Sequence, residues 1–381
     1  MGDVKPARFA VAQAKRVVIK VGTRVIADDS GRVQPSQLID VAAVVAALRA
    51  RGREVLIVSS GAVGLGTATL GFDDVPIDLE ERQACAAVGQ TRLMGLWEEG
   101  LSHHGHTCGQ VLLTQGDFDD RVRYLNLRGT LMTLLRHGVI PVINENDAVS
   151  TEELAFVENE AQAIFGDNDR LSALVATKLG ADLLVLLTDV QGVFDRDPRA
   201  HPEARLLSRI EVPGAGMELA GARGSEMGRG GMKSKVEAAH VVARSGCQAV
   251  IASGFEPGAL ASVLTGEETG TWFPARGELA AKRRWIAFAA RSRGRLELDA
   301  GAVEALEKRG ASLLAAGVRR VEGDFGPGDV VDLLRPDGRR VGRGMVYCDA
   351  ESARDWCSGS PPEGIRNHHA LVHRDHMVLE G

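Results

Sequence analysis

The chain is poor in aromatic residues: two Tyr, four Trp and ten Phe among 381 residues, 4% in all. A surface that stacks the bases of single-stranded nucleic acid has little to be built from. Positive charge is not in excess either. Lys and Arg number 45 against 51 Asp and Glu, and a net charge of −6 gives no general attraction to nucleic acid or anionic membrane. Residues 282–381 are milder, with 17 basic against 15 acidic residues, and contain no basic patch. The five cysteines (Cys85, Cys108, Cys247, Cys348 and Cys357) are odd in number and scattered, without a CxxC pair. That argues for reduced thiols and against a disulfide framework or a zinc site. No apolar stretch approaches the length of a bilayer span. The opening MGDVKPARFAVAQAKR has no apolar run long enough for a secretory leader, and Pro6 stands where a myristoylation signal has Ser or Thr. The expectation is a soluble, cytoplasmic protein with no membrane partner.

What is present is an alternation. Strands are expected at 16–23, 55–59, 110–114, 139–143, 183–187 and 248–252. Helices are expected at 36–51, 79–101, 120–137 and 232–245, with another ending near Gly180. This is the α/β class, an open, mostly parallel sheet sandwiched by helices. Near residue 275 the pattern changes. Short apolar runs at Trp285–Ala289, Arg295–Leu298, Val330–Leu334 and Gly344–Tyr347 follow, with one helical piece at 301–309 and a PDG turn at 336–338. They read as a small β-barrel-like module. The expected domains are therefore 1–276 and 282–381.

The stretch from Val139 to Leu171 holds the densest chemistry. Pro141 suits a strand only at a sheet edge or near the strand start. Asn144, Glu145, Asn146 and Asp147 follow where an open α/β sheet keeps its ligand crevice. Asp167, Asn168 and Asp169 form a second polar burst, with Asp167 or Asn168 expected to cap a helix starting near Arg170. Gly22-Thr23 and the Gly61, Gly64, Gly66 cluster each come straight after an expected strand, where glycines let backbone N–H groups close on an anion. Neither matches the dinucleotide fingerprint or the Walker A loop. A third anion-seeking segment is Gly228–Lys235, where Gly230 and Gly231 free the backbone and Met232 opens a helix. Lysines at a helix start oppose its dipole, so an anion is expected there to hold them. Lys20 and Lys235, bridged by Asp169, would meet the needs of phosphoryl transfer without a Walker loop. Magnesium would be carried by nucleotide phosphates, with no metal site in the protein. His103, His104 and His106, the tail histidines His368, His369, His373 and His376, and the acidic run Thr151–Glu160 read as surface. Ser60 has no identifiable base partner, so no Ser-His-Asp hydrolase can be singled out.

Taken together these segments resemble the glutamate 5-kinases of the amino acid kinase superfamily. VVIKVGT (17–23), SSGAVGLG (59–66), VGQ (88–90), GQVLLT (109–114), RYLN (123–126), PVINENDAV (141–149), FGDNDRLSA (165–173), LLTDVQGVFDRDPR (186–199) and GGMKSKVEAA (230–239) carry the likeness. KRRWIAF (282–288) and RGASLLAAGV (309–318) look like the family's C-terminal PUA module. The resemblance implies ATP-dependent phosphorylation of the γ-carboxylate of L-glutamate, the first step of proline biosynthesis, with Mg²⁺ and with proline as feedback inhibitor. It implies catalytic roles for Lys20, Lys235 and Asp169, and glutamate contacts from Ser60, Asn144, Asp147 and Asn168. ATP would meet Lys20, Gly22, Thr23, Thr188, Asp189, Arg229, Gly230, Gly231, Met232, Lys233, Ser234 and Lys235. A homodimer or homotetramer and hand-over of the acyl phosphate to a reductase are further implications, and PUA modules often bind RNA. Departures are a longer spacer at Ala148–Phe165, and Arg229 and Lys233 where the family has small or hydroxyl residues. The alternatives are another superfamily kinase with a different acceptor, and an RNA-binding protein acting through its C-terminal module.

Overall fold

β1 (Arg16–Val21), β2 (Glu54–Ser59), β5 (Leu183–Thr188) and β6 (Gln248–Ser253) are near-continuous runs of Val, Leu, Ile and Ala, the composition of strands covered on both faces. In the computed structural model, which describes residues 8–28, 33–149, 167–211, 231–276, 286, 292–360 and 370–379, they form the middle of one sheet. With β3 (Cys108–Leu113), β4 (Ile140–Glu145) and β7 (Thr271–Phe273) the order is β3-β4-β2-β1-β5-β6-β7. All pairings are parallel except that of β7 on β6. The chain divides into two compact units, Met1–Glu278 and Leu279–Gly381.

The strand order sets the position of the crevice. From β1 the chain crosses to β2 on one side, while β5 pairs with the other side of β1 and leads on to β6. Connections diverging from neighbouring strands leave a cleft at their carboxyl ends. Lys20 is the penultimate residue of β1 and Thr188 the last of β5, so both reach that edge.

Helices α1 (Pro35–Ala50), α2 (Ala62–Leu70), α3 (Leu79–Ser102), α4 (Arg121–Arg136), α5 (Asp167–Leu179) and α6 (Met232–Arg244) connect and cover these strands. α3 begins on an Asp78 cap whose carboxylate accepts from Glu81 N–H. Its buried stripe includes Cys85, Ala86, Gly89, Leu93, Trp97 and Leu101. Trp97 is fully buried and donates through Nε1 to Ser59 Oγ at 2.9 Å, fixing α3 against the end of β2.

Two readings of the sequence need correction here. Gly64 and Gly66 do not form a phosphate loop, since both lie inside α2. A Cβ at Gly66 would come within 1.7 Å of Cys85 O, and one at Gly89 within 1.7 Å of Ala62 O. These glycines exist for the close crossing of α2 and α3. Gly61 keeps a turn role, with φ of 103° at the start of α2, in the left-handed region that glycine enters without cost. The second correction concerns α5, which begins at Asp167. Asp167 and Asn168 are thus already helical, with Asp169, so neither caps a helix from Arg170. β4 also lies inside the sheet, not at its edge. Pro141 is accommodated near the strand start, because the pairing with β2 begins only at Val142.

The smaller unit is a curled six-stranded sheet of β8 (Ser292–Leu298), β9 (Leu313–Leu314), β10 (Val318–Gly323), β11 (Val330–Leu334), β12 (Arg340–Val346) and β13 (Ala370–Leu379), in the order β10-β8-β11-β12-β13-β9. Helix α7 (Ala300–Arg309) and helix α8 (Ala350–Cys357) contribute Val303, Leu306, Ala353 and Trp356 to its core. The sequence reading missed α8, β9, β10 and β13. The run Trp285–Ala289 lies outside the described residues except for Ile286, which packs with Val330.

Candidate active site

Three segments far apart in sequence meet at Asp169. This carboxylate is 1% exposed, and its Oδ1 lies 2.8 Å from Lys20 Nζ and its Oδ2 3.3 Å from Lys235 Nζ. Ser234, in the first turn of α6, donates to Oδ2 at 2.7 Å. Each element has one part in this. β1 ends with Lys20, the first turn of α5 turns Asp169 inward, and the start of α6 on Gly231 delivers Ser234 and Lys235. Burial by itself would raise the Asp169 carboxyl, but the two ammonium groups and the hydroxyl outweigh it and hold it below the usual carboxylate range. Burial pushes the Lys235 ammonium down, and its attraction to Asp169 recovers part of that while repulsion from Lys20 adds to it.

Beside this triad the backbone comes close. Gly22 N–H donates to Leu187 O at 3.3 Å, joining the ends of β1 and β5. A side chain at Gly22 would stand 3.2 Å from that carbonyl and 3.9 Å from Lys20 Nζ. Thr23 starts a single helical turn, Thr23–Ile26. On the β5 side, Thr188 Oγ1 donates to Asp189 Oδ1 at 3.0 Å, and Arg24 Nη1 pairs with Asp189 Oδ2 at 2.9 Å. Burial favours the neutral form of Asp189, but Arg24, Thr188 and the backbone hold its carboxyl down. Arg24 was not picked out from sequence. Met232 is half-buried and Lys233 is exposed beside Glu237. Arg229 and Gly230 lie outside the described residues, as do Thr151–Glu160, His368 and His369.

A second polar group lies on the β2–β4 side. Ser60 is buried, its N–H bonded to Val21 O at 3.1 Å, and its Oγ accepts from Asn168 Nδ2 at 2.9 Å. Asn144, at the carboxyl end of β4 and 1% exposed, donates through Nδ2 to Gln90 Oε1 at 2.8 Å. Asp147 is half-buried in the turn after β4. Asn168 sits one residue from Asp169, so α5 joins this amide group to the triad. Gln90 was quoted from sequence as part of VGQ and given no role. The signal that could have found it is its place on the buried stripe of α3, between Ala86 and Leu93.

As a device, the triad presents two cations to one anion in a dry cleft edge, and the amides present uncharged hydrogen-bonding groups next to it. Two ammonium groups held by one carboxylate keep a net positive charge at this edge, which suits an anion. The amino acid kinase family model matches residues 15–253 and the PUA domain model residues 294–361. The chain belongs to the amino acid kinase family. Its full-length relatives there are proteins named glutamate 5-kinase. One from Marinomonas sp. strain MWYL1 is 43% identical over 98% of this chain and 99% of that protein. One from Deinococcus radiodurans is 45% identical over 96% of this chain and 99% of that protein. The protein is thus a kinase. Among the described residues no helix is long and apolar enough to cross a membrane.

Proposed function

We propose that the protein transfers the γ-phosphoryl group of ATP to the γ-carboxylate of L-glutamate, giving L-glutamate 5-phosphate and ADP. The reaction is the first step of proline biosynthesis, with proline as feedback inhibitor. The observation that carries this reading is the buried Lys20–Asp169–Lys235 triad beside the Ser60–Asn168 and Gln90–Asn144 amides. The near-full-length identity to glutamate 5-kinases supports the choice of acceptor.

The acceptor carboxylate is already ionised, so no general base is needed, and the barrier is the approach of one anion to another. Lys20 and Lys235 hold the transferring phosphoryl oxygens and stabilise charge that develops in the transition state. Asp169 orients both lysines through separate oxygens, and Ser234 orients Asp169. Ser60, Asn168 and Asp147 hold glutamate in line for attack. Gly22, Thr23, Thr188, Asp189 and the 229–235 segment hold the nucleotide. Magnesium bound to the nucleotide phosphates neutralises part of their charge. Both Asp169 oxygens face lysines and Asp189 is engaged by Arg24 and Thr188, so these carboxylates fit an ion that is carried on phosphate.

One assay tests the proposal. Purified protein is given Mg-ATP and glutamate with hydroxylamine to trap an acyl phosphate as the hydroxamate, and the run is repeated with proline. Glutamate-dependent hydroxamate and equimolar ADP, reduced by proline, are expected. Preference for N-acetylglutamate or aspartate would replace the acceptor assignment.

A further inference from the structure

The role of Gln90 is not accounted for by phosphoryl transfer. It is 8% exposed, on a helix, and its Oε1 is occupied by Asn144. Its Nε2 and the Asn144 Oδ1 are both buried and have no hydrogen-bond partner among the described residues. Leaving a buried amide donor and a buried amide acceptor unmade costs about 1–3 kcal/mol each, so such atoms are completed by water, an ion or a ligand, and this pair lies at the carboxyl edge of the sheet beside Ser60. The single hydrogen bond between these two amides leaves the Gln90 NH2 group and the Asn144 C=O for a third party. A zwitterion offers the complement: a carboxylate for the donor and an ammonium for the acceptor.

Position supports the same reading. Extending the β2–β4 register by one residue places Asn144 opposite Ser59, next to Ser60. β4 is two strands from β1, roughly 10 Å at ordinary strand spacing, so a molecule with one end at Lys20 and the other at Asn144 needs several carbons between its two acids. The glycines of the α2–α3 crossing are part of the same device. Gly89 lets the backbone of α3 press onto Ala62, and Gln90 is the next residue.

We propose that Gln90 and Asn144 form an amide clamp for the α-amino acid end of the acceptor. The Gln90 Nε2–H group donates to the α-carboxylate and Asn144 Oδ1 accepts from the α-ammonium. The site then selects a free amino acid over an N-acylated or α-amidated one, and Gln90 is a specificity-determining residue. This inference rests on the glutamate reading above.

The test uses L-glutamate and L-isoglutamine, which keeps the γ-carboxylate but has a carboxamide in place of the α-carboxylate, with the full-length protein and the hydroxamate assay. Gln90→Met, similar in shape and without a donor, is expected to raise the glutamate KM about 10- to 100-fold, the loss of a hydrogen bond to a charged group. The ATP KM should not move, while the thermal midpoint should fall modestly, because Asn144 Nδ2 loses its bond to Gln90 Oε1. Gln90→Glu places an acceptor where the donor was, so its preference for glutamate over isoglutamine in kcat/KM should fall at least ~10-fold relative to wild type. A preference unchanged in Gln90→Glu, or a glutamate KM within about twofold in Gln90→Met, overturns the clamp while leaving the glutamate reading intact. Should the variants not fold, wild type alone decides, since discrimination against isoglutamine of less than about threefold overturns it. A wild-type protein that phosphorylates neither compound removes the glutamate reading, and the clamp with it.

Discussion

Replacing Asp169 by asparagine removes one charge and almost no volume. Asparagine still accepts from Ser234, but Lys20 and Lys235 are left as two buried ammonium groups facing a neutral amide. At an effective dielectric of about 20, a pair at 2.8 Å is worth about 6 kcal/mol and one at 3.3 Å about 5 kcal/mol. Desolvation of three charged groups offsets most of this, and removing one member of such a buried set costs about 3–5 kcal/mol net. Urea unfolding followed by tryptophan fluorescence should show that loss in Asp169→Asn. Turnover should fall about 10²- to 10³-fold, because the lysines lose the group that aims them. The decisive variant is the double Lys20→Met/Asp169→Asn. Taking away one ammonium relieves the repulsion that the first change exposed, so the double should be more stable than the sum of the single losses by about 1–3 kcal/mol. Additivity within about 0.5 kcal/mol, or an Asp169→Asn protein with near-normal stability, would refute the electrostatic reasoning.

Other consequences can be measured in parallel. Lys20→Ala and Lys235→Ala should each lower kcat by about 2.7–4 kcal/mol of transition-state stabilisation, while the glutamate KM changes little; steady-state kinetics decides it. Gly66→Ala would set a methyl within 1.7 Å of Cys85 O and force α2 from α3, costing about 1–3 kcal/mol or more, seen as a lower thermal midpoint. Lys178, on α5 over the Tyr124 ring, is pushed by burial down to about 7. The folded state then binds fewer protons than the unfolded one above that pH. Stability from this group therefore rises as pH goes from about 7 toward the ordinary lysine value, and Lys178→Met should flatten that rise in urea titrations across pH.

β1, β2, β4, β5 and β6 of the larger unit were legible because strands buried on both faces must be nearly continuous apolar runs, whereas the three-residue β7 was missed. Glycine was less informative. A loop that closes on an anion and a helix that crosses another at contact distance both require the missing Cβ, and SSGAVGLG contains both: Gly61 in the turn, Gly66 at the crossing. The start of α5 was misjudged because Asp167, Asn168 and Asp169 are all good cap residues. What draws Asp169 into the first turn is the pair of lysines, which are 149 and 66 residues away and carry no local signal. Gln90 was passed over for a related reason, since a polar residue on a helix reads as solvent-facing unless its apolar stripe is traced through it. α8 was missed in a segment of short polar runs, although Asp349 caps it as expected of such a residue, accepting from Ser352 N–H at 2.8 Å.

The charge count of the triad explains why it has this composition. With no carboxylate, two buried ammonium groups would repel, and burial would drive at least one of them to its neutral form, useless for holding phosphate. With two carboxylates the set would be neutral and would not draw an anion out of water. One carboxylate leaves a net charge of +1 on Lys20, Asp169 and Lys235, enough to keep both lysines in place before substrate arrives and still favour a phosphoryl group over water. β1 is the fitting source for the first lysine, because it lies between β2, which leads to Ser60 and its Asn168 partner, and β5, which ends at Thr188. In the proposed transfer, a lysine there reaches donor and acceptor at once. Moved one residue along the strand, a lysine would face the opposite side of the sheet, so exchanging Lys20 and Val21 should abolish transfer even though composition and net charge are unchanged.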